Sequence, residues 1–594
     1  MIALYRLMTS RPVFSLACPA WLITAMVAVV GMATIGGCSD DSDTVRRIRA
    51  QRQSRMQTES QQDHIGETVS LLSRLVELNP DEARRQIAYH LNRWSDERSP
   101  QPGDDISEFI KTVSELLPPE VVAERIDRES YTRDDVDHLR DSYLFSRVAE
   151  WVNTDASDDP VLADWFAELE QQDASAALQL RTASRLFDWT MRNVAFEPLV
   201  PTAPAPPAPP LAFDMKFQGA GYRQSDYQTL WRGTGDSLQR AGVFILLCRQ
   251  AGIDAAVLAI PSTDDGSLQP WCTGVLIGKD IFLFEPELAT FVPGPNQTGI
   301  STLAQARSDA SVLRRLNVPG FFDYPISKDD VQQSVALLNV VPEAVSPRMK
   351  SLQSGLAGDR RMVTYVDVND LAKRFDAISG ISGVRWWSVP LLAEAYARDL
   401  AAAAQRDPLF SFWYQSRWAI LEAQIENSRQ LASARWRHLH GQFDNDDEAN
   451  VPGARGLYLG QRAPEFEIED LRIDVDLQKA YGIRRELGTD SKLYDRQVQQ
   501  VQMMMRQGKR TATYWISLIQ YDDQRYDTAK TWFEKRVLDP NQPSPWEPAA
   551  RYNLARTAEH LDEIDQAIEL YKTAGDPQEH GNRIRARLVS KASE

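Results

Sequence analysis

Cysteine is almost missing from this chain, with four in 594 residues. Cys18 and Cys38 fall in the N-terminal segment, which leaves Cys248 and Cys272 for the body. That count excludes a disulfide framework, and no C-x-x-C spacing offers a zinc site. Histidine is scarce too. The seven are His64, His90, His138, His438, His440, His560 and His580, so the stretch from 139 to 437 has no imidazole of its own. Basic residues number 66 against 83 acidic ones, a net charge of −17. That balance opposes nucleic acid as a partner. The acids are scattered, as they are on a surface that keeps a protein soluble. No metal and no cofactor are expected. Charge is also missing from the first 39 residues, apart from Arg6 and Arg11.

What is present describes an exported, mainly helical protein. The uncharged run "WLITAMVAVVGMATIGGC" follows a positive start and ends in small residues, as a secretory signal does. Its ending "IGGC" resembles a bacterial lipobox. The resemblance implies cleavage after residue 37, lipid on Cys38, and a chain held at the cell membrane by that lipid. Ser39 fits sorting to the outer membrane, facing the periplasm. The run is also long enough to be an uncleaved membrane anchor. Residues 38–62 are polar and read as a tether.

Residues 63–175 read as an all-α region. In "ELNPDEARRQIAYHLNRW", Asn79 caps, Pro80 opens the first turn, and Ile87, Leu91 and Trp94 share a stripe. "DISEFIKTVSELL" (105–117) and "DSYLFSRVAEWV" repeat the helical spacing. Residues 197–213 are proline-rich and biased to polyproline II, as either an SH3-type ligand or a stiff loop. Within 351–390, "RMVTYVDV" and "VRWWSV" predict strands around the helix "NDLAKRFDAI". Residues 391–453 predict long helices.

The centre carries a more specific pattern. "ASRLFDWTMRNVAF" (183–196) reads as a helix. "TLWRGTGDS" (229–237) leads into the apolar "FILLCRQAGIDA" (244–255), which Gly252 would end. "QPWCTGVLIGKDIFLFEPEL" (269–288) reads as two strands turning at Gly278. Together these resemble papain-like transglutaminase domains, and residues 176–350 are assigned to that domain. In that family a cysteine at the helix start is the nucleophile, a histidine on the first strand is its base, and an aspartate after the second strand orients the histidine.

Here Ser237, Gln269 and Glu285 stand at those three positions. A serine hydroxyl needs a base within hydrogen-bond reach, and glutamine cannot accept and return a proton. The expectation is therefore a catalytically inactive site, with Trp271 and Gln269 as candidates for ligand contact. The alternatives are a hydrolase or acyltransferase on peptides using Ser237 and Glu285, or a peptide- or glycan-binding cleft. Cys248 lies eleven residues beyond Ser237, about 16 Å along a helix, which excludes it from the nucleophile's seat. Cys272 reads equally as a surface thiol, a core residue or a disulfide partner of Cys248.

Finally, 514–540 and 552–577 resemble tetratricopeptide repeats. Ser517, Ala529 and Phe533 in the first unit match Ala555, Ala567 and Tyr571 in the second. The resemblance implies a helical array over 454–594 with a concave surface for a protein or peptide partner. The expected fold is α+β and mainly α. It comprises a signal (1–37), a tether (38–62), a helical region (63–175), a papain-like core (176–350), a small α/β segment (351–390), long helices (391–453) and the repeats (454–594).

Overall fold

The computed structural model describes residues 63–97, 124–198, 221–262, 267–406, 421, 426–448, 450–462, 465–483 and 490–592. The predicted signal, the tether with Cys38, the helix at 105–117 and most of the proline-rich loop lie outside these residues. Among the described residues no helix is long and apolar enough to cross a membrane. Among the described residues the fold is mainly helical, with a six-stranded sheet and a separate two-stranded one.

Local rules account for the first helices. In α1 (Pro80–Asp96) the Asn79 side chain accepts from the Asp81 and Glu82 amides, and Ile87, Leu91 and Trp94 are buried. α2 (Arg133–Asp155) starts with a Thr132–Asp135 capping box and buries Leu144, Val148, Trp151 and Val152. α3 (Ala174–Asn193) leads into β1 (Ala195–Phe196). α4 (Asp226–Arg232) ends at Gly233 in the left-handed region, and β2 (Thr234–Gly235) then pairs in parallel with β1. α5 (Ser237–Gln250) follows and is closed by Gly252 at φ +73°.

The sheet contains β3 (Asp254–Pro261), β4 (Leu268–Ile277), β5 (Asp280–Glu285), β6 (Thr290–Phe291), β7 (Ser334–Leu338) and β8 (Ile381–Trp386), in the order β6-β5-β4-β3-β7-β8. Only the β7–β8 pair is parallel. The crossover between them contains α6 (Val368–Asp376). Gly278, at φ +63°, turns β4 into β5. The β3–β4 register slips by one residue: Val257 faces Thr273, but Ala259 faces Pro270. An extra residue thus sits in β4 at Trp271–Cys272, and a bulge of this kind re-aims the side chains around it.

One sequence expectation is corrected. "RMVTYVDV" joins no strand ladder. Side chains satisfy its backbone instead. Gln250 bonds both the N–H and the C=O of Val363, at 2.8 and 2.9 Å. Gln353 accepts from the Thr364 amide and donates to the Met362 carbonyl. The β-rich composition was real, but the neighbours available were glutamines rather than a strand edge.

After α7 (Val389–Arg406) and α8 (Glu426–Leu439) come the predicted repeat helices: α9 (Ser491–Asp522), α10 (Tyr526–Trp532), α11 (Glu547–His560), α12 (Ile564–Tyr571) and α13 (Glu579–Ala592). Ser517, Ala529, Phe533, Ala555, Ala567 and Tyr571 are all fully buried. The helices do not stand apart from the centre. Arg192 of α3 pairs with Asp522 of α9 at 2.6 Å, and Asp188 of α3 pairs with Arg556 of α11 at 2.7 Å. Arg585 of α13 pairs with Asp159, also at 2.6 Å. One hydrophobic core runs from Ile65 to Val589. A second, smaller one gathers Ile468, Leu471, Ile483, Val498, Val501 and Met505.

Candidate functional site

The start of α5 is set by its own capping. Asp236 accepts from the Gln239 amide at 2.9 Å, and Gln239 accepts from the Asp236 amide at 3.0 Å. Ser237 is therefore the first helical residue. The carboxylate of Asp236 already sits on the positive end of the helix, which opposes ionisation of a neighbouring hydroxyl. Ser237 is half-buried and makes no side-chain hydrogen bond among the described residues. Gln269 is likewise half-buried, and its amide makes none. Neither is hydrogen-bonded to Glu285.

Glu285 is engaged elsewhere. Tyr324 donates to its Oε2 at 2.5 Å, and the Trp271 indole N–H donates to the Tyr324 oxygen at 2.6 Å. The pleat explains this. Phe284 packs on Phe187 and Phe244 from α3 and α5, with ring centroids 5.0 and 5.3 Å away. The next residue must then point away from those helices. Burial pushes the Glu285 carboxyl up to about 8, with help from Glu287, against the hydrogen bonds from Tyr324 and the Glu287 amide. A value that high would suit a base at neutral pH, but the carboxyl is not hydrogen-bonded to Ser237, and a base must reach the proton it takes. Trp271 is buried with its N–H occupied, so it offers no open wall.

Cys248 and Cys272 are both buried and unpaired, which removes the disulfide and surface-thiol readings of Cys272. Burial raises both thiols well above their ordinary range. Such thiols are inert.

The histidine gap in the sequence does not describe the folded centre. His580 of α13 bonds the Leu316 carbonyl at 2.7 Å, stacks on Phe322 and lies edge-on to Tyr324. His138 of α2 bonds the Thr364 carbonyl at 2.8 Å. Linear spacing could not reveal either contact. Tyr324 was missed for the same reason, since it lies in a loop without periodicity.

A separate cleft of about 990 Å³ opens between α2, α5 and α7. Gly242, Leu246 and Arg249 follow one stripe of α5. Asp226 lies directly against Gly242 and receives Asn339 Nδ2 at 2.9 Å. Arg249 donates to the backbone carbonyl of the same Asn339. Both are half-buried and each acts electrostatically on the other, though no ion pair within 4 Å joins them among the described residues. Burial pushes Asp226 up to about 6 and Arg249 down to about 10. Beside them the Arg140 guanidinium stands over the Tyr227 ring at 3.8 Å and bonds Asp141. None of Ser237, Gln269, Trp271 or Glu285 lines this cleft.

Among the described residues no group of three or more His, Cys, Asp and Glu side chains is placed to hold a metal. No protein family, curated protein or solved structure matches the chain.

Proposed function

We propose that this chain is an exported, lipid-anchored protein of the cell envelope with a catalytically inactive transglutaminase-like centre, acting in protein–protein interaction or scaffolding. The observation that carries the reading is the start of α5. Among the described residues Ser237 hydrogen-bonds to no base, and Glu285 is bound into the Trp271–Tyr324 chain. An acyl-transfer site needs the opposite arrangement.

The repeat-like helices support interaction in a modified form. The sides of α9 and α11 that carry Asp522 and Arg556 are occupied by α3. A protein or peptide partner would meet other surfaces. Phe466, Ile473 and Val475, beside the smaller core, are 66%, 78% and 59% exposed. Exposed large apolar side chains such as these are candidate contacts for a partner.

Two measurements test the reading. A fluorophosphonate probe followed by mass spectrometry should leave Ser237 unlabelled, and Ser237→Ala should restore a deletion strain fully. A stoichiometric adduct on Ser237 would return the hydrolase reading. Crosslinking before membrane extraction should bring down a partner with the mature chain, whereas reproducible recovery of the chain alone overturns the interaction role.

A further inference from the structure

We infer that α13 is a strap: one stripe of it holds the loop at 315–324 down over β4 and β5, and releasing that loop opens Cys272, Glu285 and Trp271 to solvent while the rest of the fold stays closed. The covered groups are a thiol, a carboxyl and an indole N–H, so the strap decides whether this part of the sheet offers an accessible polar pocket. The inference goes beyond the interaction role proposed above. It uses none of the residues at the start of α5, so neither labelling of Ser237 nor capture of a partner has any bearing on it.

Helical spacing puts His580, Arg583, Arg587 and Lys591 along one side of α13. His580 bonds the Leu316 carbonyl at 2.7 Å, and its ring stacks on Phe322 with the centroids 4.9 Å apart. The Arg583 guanidinium lies over the Phe321 ring at 3.8 Å. Arg587 donates to the main-chain carbonyls of Arg315 and Asn317. Lys591 donates to the Asn296 carbonyl, and Arg315 ties the loop to the same turn through the Gly294 carbonyl at 3.3 Å. Asn317 passes the hold on, since its side chain accepts from the Tyr324 amide at 2.7 Å. The helix itself is anchored by other residues. Arg585 pairs with Asp159 and Glu559, and a β-carbon at Gly581 would overlap the Leu288 carbonyl.

The loop is the part that yields first. From Asn317 to Asp330 no residue is fully buried. Backbone that buries little apolar surface opens at the lowest free energy. The groups beneath are closed off, with Cys272 2% and Glu285 3% exposed. Tyr324 covers them from the loop: its hydroxyl donates to Glu285 at 2.5 Å and accepts from the Trp271 indole at 2.6 Å. Buried polar groups thus take their cover from a segment that buries almost nothing itself. Hydrogen bonds to main-chain carbonyls are exchanged for water at modest net cost, so the side chains of α13 set how often the loop lifts. Cys248 is the contrast. It lies in α5, which packs on α2, α3, α4 and β3, and exposing it requires those elements to separate.

The test uses the full chain and the two cysteines of its body. Labelling with iodoacetamide is followed by peptide mass spectrometry, which reads Cys272 and Cys248 separately. In the wild type Cys272 should label at least about tenfold faster than Cys248, and its rate should depend only weakly on urea, as local opening does. Combining His580→Ala with Arg587→Ala removes three hydrogen bonds and the ring stack. It should speed labelling of Cys272 by about tenfold or more while Cys248 keeps its rate. Tyr324→Phe leaves α13 untouched, removes the hydroxyl between Glu285 and Trp271, and should act in the same direction. A general loss of fold exposes both thiols alike and is read from Cys248. If the double variant does not fold, the wild-type comparison still decides: equal rates for the two cysteines, rising together with urea, overturn the inference. So does a Cys272 rate that the variants leave unchanged or raise no more than that of Cys248.

Discussion

The carboxylate of Asp226 rests on Gly242, one helix crossing another at a point where no β-carbon intervenes. Glycine inside a helix ordinarily costs about 1 kcal/mol relative to alanine. Here the close approach keeps it. Gly242→Ala should therefore destabilise the protein by about 1–3 kcal/mol in urea unfolding. Gly242→Ala combined with Asp226→Ala should recover much of that loss, because the second change removes the overlapping atom. Additive losses would mean that the two residues do not meet.

Glu285 predicts a pH dependence. Its folded value is about 8 against 4.5 for the free side chain. Between those values the folded state binds more protons than the unfolded one, so stability falls as pH rises from about 5 to about 8. Glu285→Gln keeps a neutral group of the same shape and should flatten that slope. Unfolding midpoints of wild type and Glu285→Gln at pH 5 and pH 8 check this, and parallel slopes would refute it.

Arg556 joins the repeat helices to the centre. It is 1% exposed and pairs with both Asp188 and Glu559. Arg556→Ala takes one cation from each carboxylate, while Arg192 still pairs with Asp188 and Arg585 with Glu559, and should cost about 1–3 kcal/mol. Limited proteolysis should then cut first between α9 and α13, and equal cutting rates in mutant and wild type would argue against a lock at this position.

Gln250 takes the place of a neighbouring strand for Val363. Gln250→Leu removes two hydrogen bonds from that backbone and should cost about 1–3 kcal/mol. Amide exchange at Val363 should speed up accordingly. Unchanged protection there would show that another group holds the segment.

The helices were legible because their rules are local. Asn79 before Pro80, the stripe of Ile87, Leu91 and Trp94, Gly252 at the end of α5 and Gly278 between β4 and β5 all act within a few residues of themselves. The small residues Ala529 and Ala567 were equally plain, since their burial follows from helix spacing.

What tertiary structure alone decided depends on partners far away in the chain. Gln250 meets Val363 and turns a predicted strand into a side-chain-bonded segment. The slip at Trp271–Cys272 is invisible to composition. His580 arrives beside Tyr324 from the last helix, although the sequence shows no histidine for almost three hundred residues around it. Asn339 meets Asp226 and Arg249 only in the fold, across 113 and 90 residues of chain. Contacts of that range follow from how whole elements pack, which no local spacing rule encodes.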